Sequence, residues 1–200
     1  MTDFFALLDE PRRPWIDVER LKTRFLEHSA TCHPDRFHNA PVAEKANATR
    51  QYTELNAAYE CLARDRTRLK HLLELERSAP PEDIQKTPAE LMDLFFGVGK
   101  LLREVDAFLK GKEQATSPLL KVKIFQDGMT WTDQLNETGG RIRTSLAGLA
   151  DEIKNIDAEW LEATVGRDQL LPKLENIYRH LSYYERWQAQ VQERVVRLSL

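Results

Sequence analysis

The sequence predicts an all-α protein made of two helical parts. Apolar residues recur at steps of three and four along most of its 200 residues, which is the period of helices that bury one face. Only eight glycines interrupt this pattern, and a hydrophobic content of 42% can supply a core. Because paired prolines make a stiff break, Pro80-Pro81 separates the two parts. We predict a first domain at residues 1–76, a linker at 77–86 and a C-terminal antiparallel three-helix bundle at 87–200.

The first part begins with a short apolar element at residues 4–8, followed by two longer amphipathic helices. Asp17 is a residue type that caps a helix N-terminus, and Pro41 suits the first position of the next helix. The helix after Asp17 carries one apolar face of Val18, Leu21, Phe25 and Cys32. The helix after Pro41 carries a seam of Ala48, Tyr52, Leu55, Tyr59 and Leu62. This spacing favours antiparallel packing of the two helices, and a further helix with a leucine-rich face is predicted over residues 66–76.

A polar turn at residues 32–37, Cys-His-Pro-Asp-Arg-Phe, joins the two longer helices. Pro34 cannot continue a helix and pushes His33 away from helical backbone angles. Asp35 is a residue type that hydrogen-bonds its own backbone and holds a turn. We therefore expect His33, Pro34 and Asp35 to form an exposed tripeptide on a rigid helical hairpin, where binding residues are often found.

His-Pro-Asp between two antiparallel helices resembles the J-domain, the DnaJ-type module that activates DnaK-type ATPase chaperones. Residues 55–62, Leu-Asn-Ala-Ala-Tyr-Glu-Cys-Leu, also match the N-x-A-Y-x-x-L pattern of J-domain third helices. The resemblance implies that the chaperone-binding residues are His33, Pro34, Asp35, Arg20, Arg24 and Arg36. Arg20 and Arg24 form a basic row with His28, which is typical either of a chaperone-facing surface or of an ordinary solvated face. Glu27, Thr31 and Cys32 stand where many J-domains have lysine, lysine and tyrosine.

The second part contains three long helical patterns. A capping box at residues 87–90, with proline at its second position, starts the first helix, which we expect to end at Lys110 before Gly111. Ser117-Pro118 opens the next, and Gly139-Gly140 should kink or loosen its middle. A short helical turn is predicted over residues 158–164, and a last helix over 169–198, with Pro172 near its start.

The first bundle helix has two apolar stripes, and one is enough to pack it into a bundle. The second stripe consists of Met92, Phe95, Phe96, Gly99 and Leu102. Such a wide apolar face either lies in a groove of its own domain or binds another protein. Tyr183 lies off the packed seam of the last helix and is predicted to join this second stripe.

The whole arrangement resembles the HscB family, the co-chaperones of iron–sulfur cluster assembly. The resemblance implies that the J-domain stimulates a DnaK/HscA-type chaperone and that the bundle binds the scaffold protein IscU. The family's scaffold-binding positions match Leu91, Met92, Phe95, Phe96 and Tyr183. Family members carry glutamates along that surface, whereas this chain has Phe96, Gly99 and Arg103. A J-domain adaptor for a different client, and a structural helical protein with a fortuitous tripeptide, remain alternatives.

Composition disfavours several other classes. Twenty-nine basic and thirty-two acidic residues give a net charge of −3, so phosphate-driven nucleic-acid binding is not expected. Two cysteines cannot form a disulfide framework or the usual four-thiolate iron–sulfur site. His28, Cys32, His33 and His38 match no common zinc spacing, and no phosphate loop or nucleophile motif occurs. We expect no metal, no cofactor and no enzyme activity. With neither a signal peptide nor a membrane-length apolar run, we expect a cytoplasmic protein.

Overall fold

Residues 2–81, 88–112, 118–162 and 166–199 are described by a computed structural model, and all the regular elements among them are helical. The prediction of an all-α fold is therefore confirmed. The α-helices are α1 (Phe4–Leu7), α2 (Val18–Cys32), α3 (Val42–Leu62), α4 (Asp65–Arg77), α5 (Met92–Lys112), α6 (Pro118–Glu162) and α7 (Leu171–Ser199). Short 3₁₀ turns lie at Pro34–Phe37, Ala89–Leu91 and Arg167–Gln169.

The chain forms two compact units that differ from the predicted domain limits. Unit 1 comprises Met1–Glu82 and Asp151–Tyr178, and unit 2 comprises Asp83–Ala150 and Arg179–Leu200. Helices α6 and α7 thus contribute to both units. The segment 151–178, expected within the C-terminal bundle, packs with the first unit. The division by function, with a first domain at 1–76, a linker at 77–86 and a client-binding bundle at 87–200, stays a prediction.

Unit 1 is built on the α2–α3 hairpin. The Asp17 side chain caps α2 by accepting hydrogen bonds from the backbone N–H groups of Glu19 and Arg20, at 3.0 and 3.2 Å. Across the hairpin the rings of Phe25 and Tyr59 stack, with centroids 4.7 Å apart. Its fully buried apolar side chains include Phe5, Leu8, Leu21, Ala58, Leu62, Leu69, Leu72 and Leu73. Val18 was wrongly expected in this core: it is 39% exposed, because the first residue of α2 lies at the edge of the packed face.

Arg68 of α4 is buried at the centre of unit 1. Its guanidinium donates to the backbone carbonyls of Pro14 and Leu62, at 2.8 and 2.7 Å, and forms an ion pair with Asp65. Burial lowers the pKa of this guanidinium, and the Asp65 carboxylate opposes that shift. Arg68 therefore ties the loop before α2 and the end of α3 to α4.

The last part of α6 holds the same loop from a second direction. Asp157, which is buried, forms an ion pair with Arg13 and accepts a hydrogen bond from the Trp15 N–H at 3.1 Å. The fully buried Trp160 donates its indole N–H to the carbonyl of Arg12 at 3.0 Å. These contacts explain why residues 151–178 belong to unit 1.

Unit 2 is an up-down-up bundle of three helices. Asp106 of α5 binds Arg194 of α7 at 3.1 Å, and Lys112 lies 3.3 Å from the Leu198 carbonyl, so α5 and α7 run parallel. Residue 128 of α6 faces Phe108, and residue 139 faces Val191, so α6 runs antiparallel to both. The buried core consists of Leu91, Val98, Leu102, Val105, Leu109, Leu135, Ile142, Tyr183, Trp187 and Val191.

Two predicted helix boundaries are wrong. Helix α5 runs through Gly111 to Lys112, and α6 continues through Gly139-Gly140 to Glu162, which absorbs much of the predicted turn at 158–164. The two glycines cost helix propensity, but Leu135 and Ile142 on either side are fully buried, and their packing stabilises the helix. The expected starts at Thr87 and Ser117 and the residues 163–164 lie outside the described residues. None of the described helices is long and apolar enough to cross a membrane.

Candidate functional site

The His-Pro-Asp turn is an ordered, exposed corner at the tip of the α2–α3 hairpin. α2 ends at Cys32, His33 has an extended backbone, and Pro34–Phe37 forms a 3₁₀ turn. The His33 carbonyl accepts a hydrogen bond from the Arg36 N–H at 3.0 Å. The side chains of His33 and Asp35 are 42% and 90% exposed. The corner is therefore locally rigid while its polar groups face solvent.

The His33 ring is held on two sides. Its Nδ1 accepts a hydrogen bond from the Asp35 N–H at 3.3 Å, which leaves Nε2 as the N–H donor of the neutral ring. The ring of Tyr52 in α3 meets the His33 ring edge to face, with centroids 5.0 Å apart. Tyr52, expected to be a core residue, is only half-buried and supports the candidate site.

Arg36 turns back toward the helix that precedes it. Its guanidinium donates a hydrogen bond to the carbonyl of Ala30, in the last turn of α2. A cation at this position gives a free helix carbonyl a hydrogen-bond donor, and it interacts favourably with the negative end of the helix dipole. In this structure Arg36 thus orders the corner, and direct contact with a partner stays a prediction.

The predicted basic row is partly neutralised by two acidic residues that the sequence pattern did not reveal. Glu10 is buried, and its Oε1 lies 3.2 Å from the guanidinium of Arg24 and 3.8 Å from that of Arg20. Asp9 binds the His28 ring at 2.9 Å. Arg20, with a 61% exposed side chain, is the most available cation of the row. Both acids lie just after α1, too far along the chain for helical spacing to reveal the pairing.

A second candidate surface lies at the start of α5. Phe95 and Phe96 are 41% and 60% exposed, their rings meet edge to face at 5.4 Å, and Met92 beside them is half-buried. Phe95 also lies 6.4 Å from the ring of Trp187 in α7. The bundle thus holds an exposed aromatic pair on a fixed aromatic base, which is a typical core for a protein-binding surface.

Leu91 and Tyr183 occupy the base of this surface. Both are buried, at 4% and 6% exposure, in the core that includes Trp187. The Tyr183 and Trp187 rings are 5.6 Å apart, and the Arg186 guanidinium lies 5.8 Å from the Tyr183 ring centroid. Of the five predicted scaffold-binding residues, Met92, Phe95 and Phe96 are therefore accessible, while Leu91 and Tyr183 support them from below.

The cysteine and histidine groups suggest no further chemistry in the described part of the chain. No three potential ligand side chains there lie together in a way that could hold a metal ion. Cys32 is buried, with its thiol toward the backbone carbonyl of His28. Burial raises the pKa of the Cys61 thiol to about 11, so this thiol stays protonated near neutral pH and is a poor nucleophile.

Sequence comparison relates the chain to curated bacterial proteins. A protein of Chromobacterium violaceum named "Co-chaperone protein HscB homolog" is 32% identical over 91 residues, which cover 45% of this chain and 52% of that protein. A protein of Aromatoleum aromaticum with the same name is 34% identical over 73 residues, or 36% and 41% of the two chains. The chain thus spans about half, or less, of the curated relatives it matches. No protein-family model matches it.

Solved structures extend the likeness of the fold to nearly the whole chain. The crystal structure of human co-chaperone protein HscB has a TM-score of 0.70 at 16% identity, over 96% of this chain and 82% of that one. Chaperone HscB from Vibrio cholerae has a TM-score of 0.56 at 19% identity, over 96% of both. The predicted resemblance to HscB-type co-chaperones is confirmed, and so is the predicted fold.

Proposed function

We propose that this chain is a non-enzymatic co-chaperone of the HscB type, acting in iron–sulfur cluster assembly. The observation that carries the proposal is the exposed, ordered His33-Pro34-Asp35 corner on a helical hairpin, in a chain whose curated relatives are named HscB homologues. On this proposal the corner binds a DnaK/HscA-type chaperone. The bundle then presents the scaffold protein IscU to the same chaperone.

Each residue of the corner has a defined task in this proposal. His33 offers its Nε2–H as a donor, Asp35 offers a solvated carboxylate, and Pro34 fixes the backbone between them. Arg20 supplies an exposed cation that speeds the encounter with an acidic surface. The chaperone responds because these groups bind its hydrolysing state better than its resting state, which shifts the population between the two states.

The chaperone contact is tested by the steady-state ATPase rate of a DnaK/HscA-type chaperone. We expect the parent chain to stimulate hydrolysis and His33→Gln to abolish most of that stimulation. His38→Gln is the matched control, because His38 is an exposed histidine at the end of the same turn. If His33→Gln stimulates as well as the parent chain, the proposed use of the corner is wrong.

The client contact is tested by binding of purified IscU, followed by calorimetry. We expect the double variant Met92→Ala/Phe95→Ala to weaken binding at least tenfold, since buried aromatic and methionine anchors dominate such surfaces. Val42→Ala is a suitable control, because Val42 is 84% exposed on α3 in unit 1. Binding that survives the double variant would contradict the proposed surface.

A J-domain adaptor with a different client is the second candidate function. Phe96 is 60% exposed and Arg103 is exposed on the same helix, where HscB-type proteins carry glutamates. Such a surface suits a client that is more apolar, or more acidic, than the usual scaffold. Stimulation of the chaperone without any binding of IscU would favour this candidate.

A further inference from the structure

We propose that two acidic residues that follow α1, Asp9 and Glu10, compete with the acidic surface of a chaperone partner for the basic row on α2. The basic row consists of Arg20, Arg24 and His28. The acidic pair thereby limits how fast and how tightly such a partner binds. This inference rests on the proposed co-chaperone function and adds to it a regulatory contact within the chain.

Glu10 lies beside the two arginines of the row. Its carboxylate oxygen Oε1 is 3.2 Å from the Arg24 guanidinium and 3.8 Å from that of Arg20. The Arg24 guanidinium also donates a hydrogen bond to the Leu8 carbonyl at 3.4 Å. Two acceptors from the segment after α1 therefore hold one cation, and the Arg24 side chain is only 24% exposed. An acidic partner has to displace these acceptors before it can bind Arg24.

The burial of Glu10 makes this displacement unfavourable. The Glu10 side chain is buried, and no donor among the described residues forms a hydrogen bond with its Oε1. A buried carboxylate is destabilising unless opposite charges compensate it, and here the nearby arginines supply that charge. A partner that draws Arg24 away leaves Glu10 less compensated, which weakens the partner's own binding. Replacing the carboxylate with an uncharged amide removes this penalty.

Asp9 occupies the other end of the row from the same ordered turn. Its Oδ2 lies 2.9 Å from Nε2 of His28. The backbone φ of Asp9 is +52°, in the left-handed region that aspartate and asparagine adopt more readily than most non-glycine residues. The N–H groups of Asp9 and Glu10 donate to the carbonyls of Ala6 and Phe5, at 3.3 and 2.9 Å. These bonds hold both acids beside the row.

The acidic pair also lowers the positive charge that an approaching partner meets. Arg20 and Arg24 are cations, and both belong to the row. Asp9 and Glu10 place two carboxylates next to it. Complementary charge speeds the association of two proteins, and the effect weakens as salt screens it. Removing either carboxylate should therefore speed the encounter with an acidic surface, mainly at low ionic strength.

The test is the association rate constant with a DnaK/HscA-type chaperone, measured by surface plasmon resonance at about 20 mM and about 500 mM salt. We expect Glu10→Gln and Asp9→Asn each to raise it about threefold at low salt and to change it little at high salt. Asparagine also tolerates the left-handed backbone at position 9. Glu54→Gln is the matched control, because Glu54 is an exposed carboxylate on α3, and it should associate like the parent chain. Circular dichroism verifies that each variant is folded.

A hexaglutamate peptide serves as a probe that does not involve the chaperone. We expect it to perturb the α2 amide NMR signals of Glu10→Gln at about a third of the concentration that the parent chain requires. If the parent chain does not bind the chaperone, the co-chaperone proposal is wrong, and the peptide then decides about the acidic pair. Rates or peptide affinities equal to those of Glu54→Gln, or an increase that persists at high salt, would overturn the proposed competition.

Discussion

The contiguous residues of the corner could be predicted from the sequence, but their supports could not. His33, Pro34 and Asp35 are adjacent, so a turn and its exposure follow from local chemistry alone. Glu10, which neutralises Arg24, and Tyr52, which supports the His33 ring, come from other elements of the fold. Their positions depend on how α1 and α3 pack, and the spacing of residues within one helix does not reveal contacts between different elements.

Arg36 gives a test of how the corner is ordered. Replacing it with methionine removes the hydrogen bond to the Ala30 carbonyl. We expect Arg36→Met to lower the free energy of unfolding by about 1 kcal/mol and to reduce chaperone stimulation severalfold. Urea denaturation and the ATPase assay measure the two effects. Arg50→Met is the control, because Arg50 is an exposed arginine on α3 that binds Asn47 in its own helix.

Arg68 gives a test of the buried centre of unit 1. Arg68→Met would leave the carbonyls of Pro14 and Leu62 without this donor in a dry environment. We expect the free energy of unfolding to fall by about 3 kcal/mol, measured by urea denaturation. Arg64→Met should change it by less than about 0.5 kcal/mol, since Arg64 is exposed and makes no side-chain cap at α4. Equal effects of the two substitutions would contradict this account of Arg68.

At the scale of the helices, the sequence predicted a helix start correctly where the residue that marks it lies in or next to that helix. Asp17 caps α2 as expected, and Pro172 lies in the first turn of α7 as expected. At Gly139-Gly140, where we predict a kink or a loosening, α6 stays helical because the bundle packs Leu135 and Ile142 on either side, and a kink within the helix stays a prediction. Tertiary packing outweighs helix propensity there. Two glycines in a sequence indicate a low helix propensity, but they do not indicate how the neighbouring side chains pack.

The contact between α5 and α7 gives stability a defined pH dependence. Hydrogen bonds from Arg194 hold the pKa of Asp106 below its ordinary value of 3.8. A carboxylate with a lowered pKa stabilises the fold above its unfolded pKa, and this stabilisation is lost as the pH falls through the folded pKa. We expect Asp106→Asn to be less stable than the parent chain at pH 6, with the difference shrinking as the pH falls below 3.8.

Urea unfolding at a series of pH values measures this difference. Asp127→Asn, at an exposed position within α6, serves as the control and should lie close to the parent chain at pH 6. A gap between Asp106→Asn and the parent chain that stays the same from pH 6 to pH 2 would show that the ion pair with Arg194 does not contribute in this way.

In the whole molecule, the N-terminal residues and the distant segment 151–178 together build the unit that carries the corner. Arg13 and Asp157, which form an ion pair in unit 1, are 144 residues apart. Such a pairing leaves no periodic or local trace in a single sequence, so the sequence alone places residues 151–178 in the bundle because they follow its other helices along the chain. The sequence could therefore predict the helices of both units, but not that residues 151–178 belong to unit 1.

A substitution far from the corner should consequently loosen the unit that holds it. Asp157→Asn weakens the pairing with Arg13 and the hydrogen bond from the Trp15 N–H. We expect a loss of about 2 kcal/mol in the free energy of unfolding and faster amide hydrogen exchange in α2 and α3. Asp151→Asn should change neither, since Asp151 is exposed and forms a surface pair with Lys154. Unchanged exchange in Asp157→Asn would contradict the shared construction of unit 1.

The central claim is that the His33 corner activates a chaperone while the Phe95–Phe96 surface holds a client. The most direct test is the ATPase rate of a DnaK/HscA-type chaperone with and without IscU, for the parent chain, His33→Gln and Phe96→Glu. We predict that His33→Gln loses stimulation under both conditions yet still binds IscU. Phe96→Glu should keep the stimulation seen without IscU and lose only the increase that IscU adds. If His33→Gln stimulates the chaperone as well as the parent chain does, the claim is contradicted.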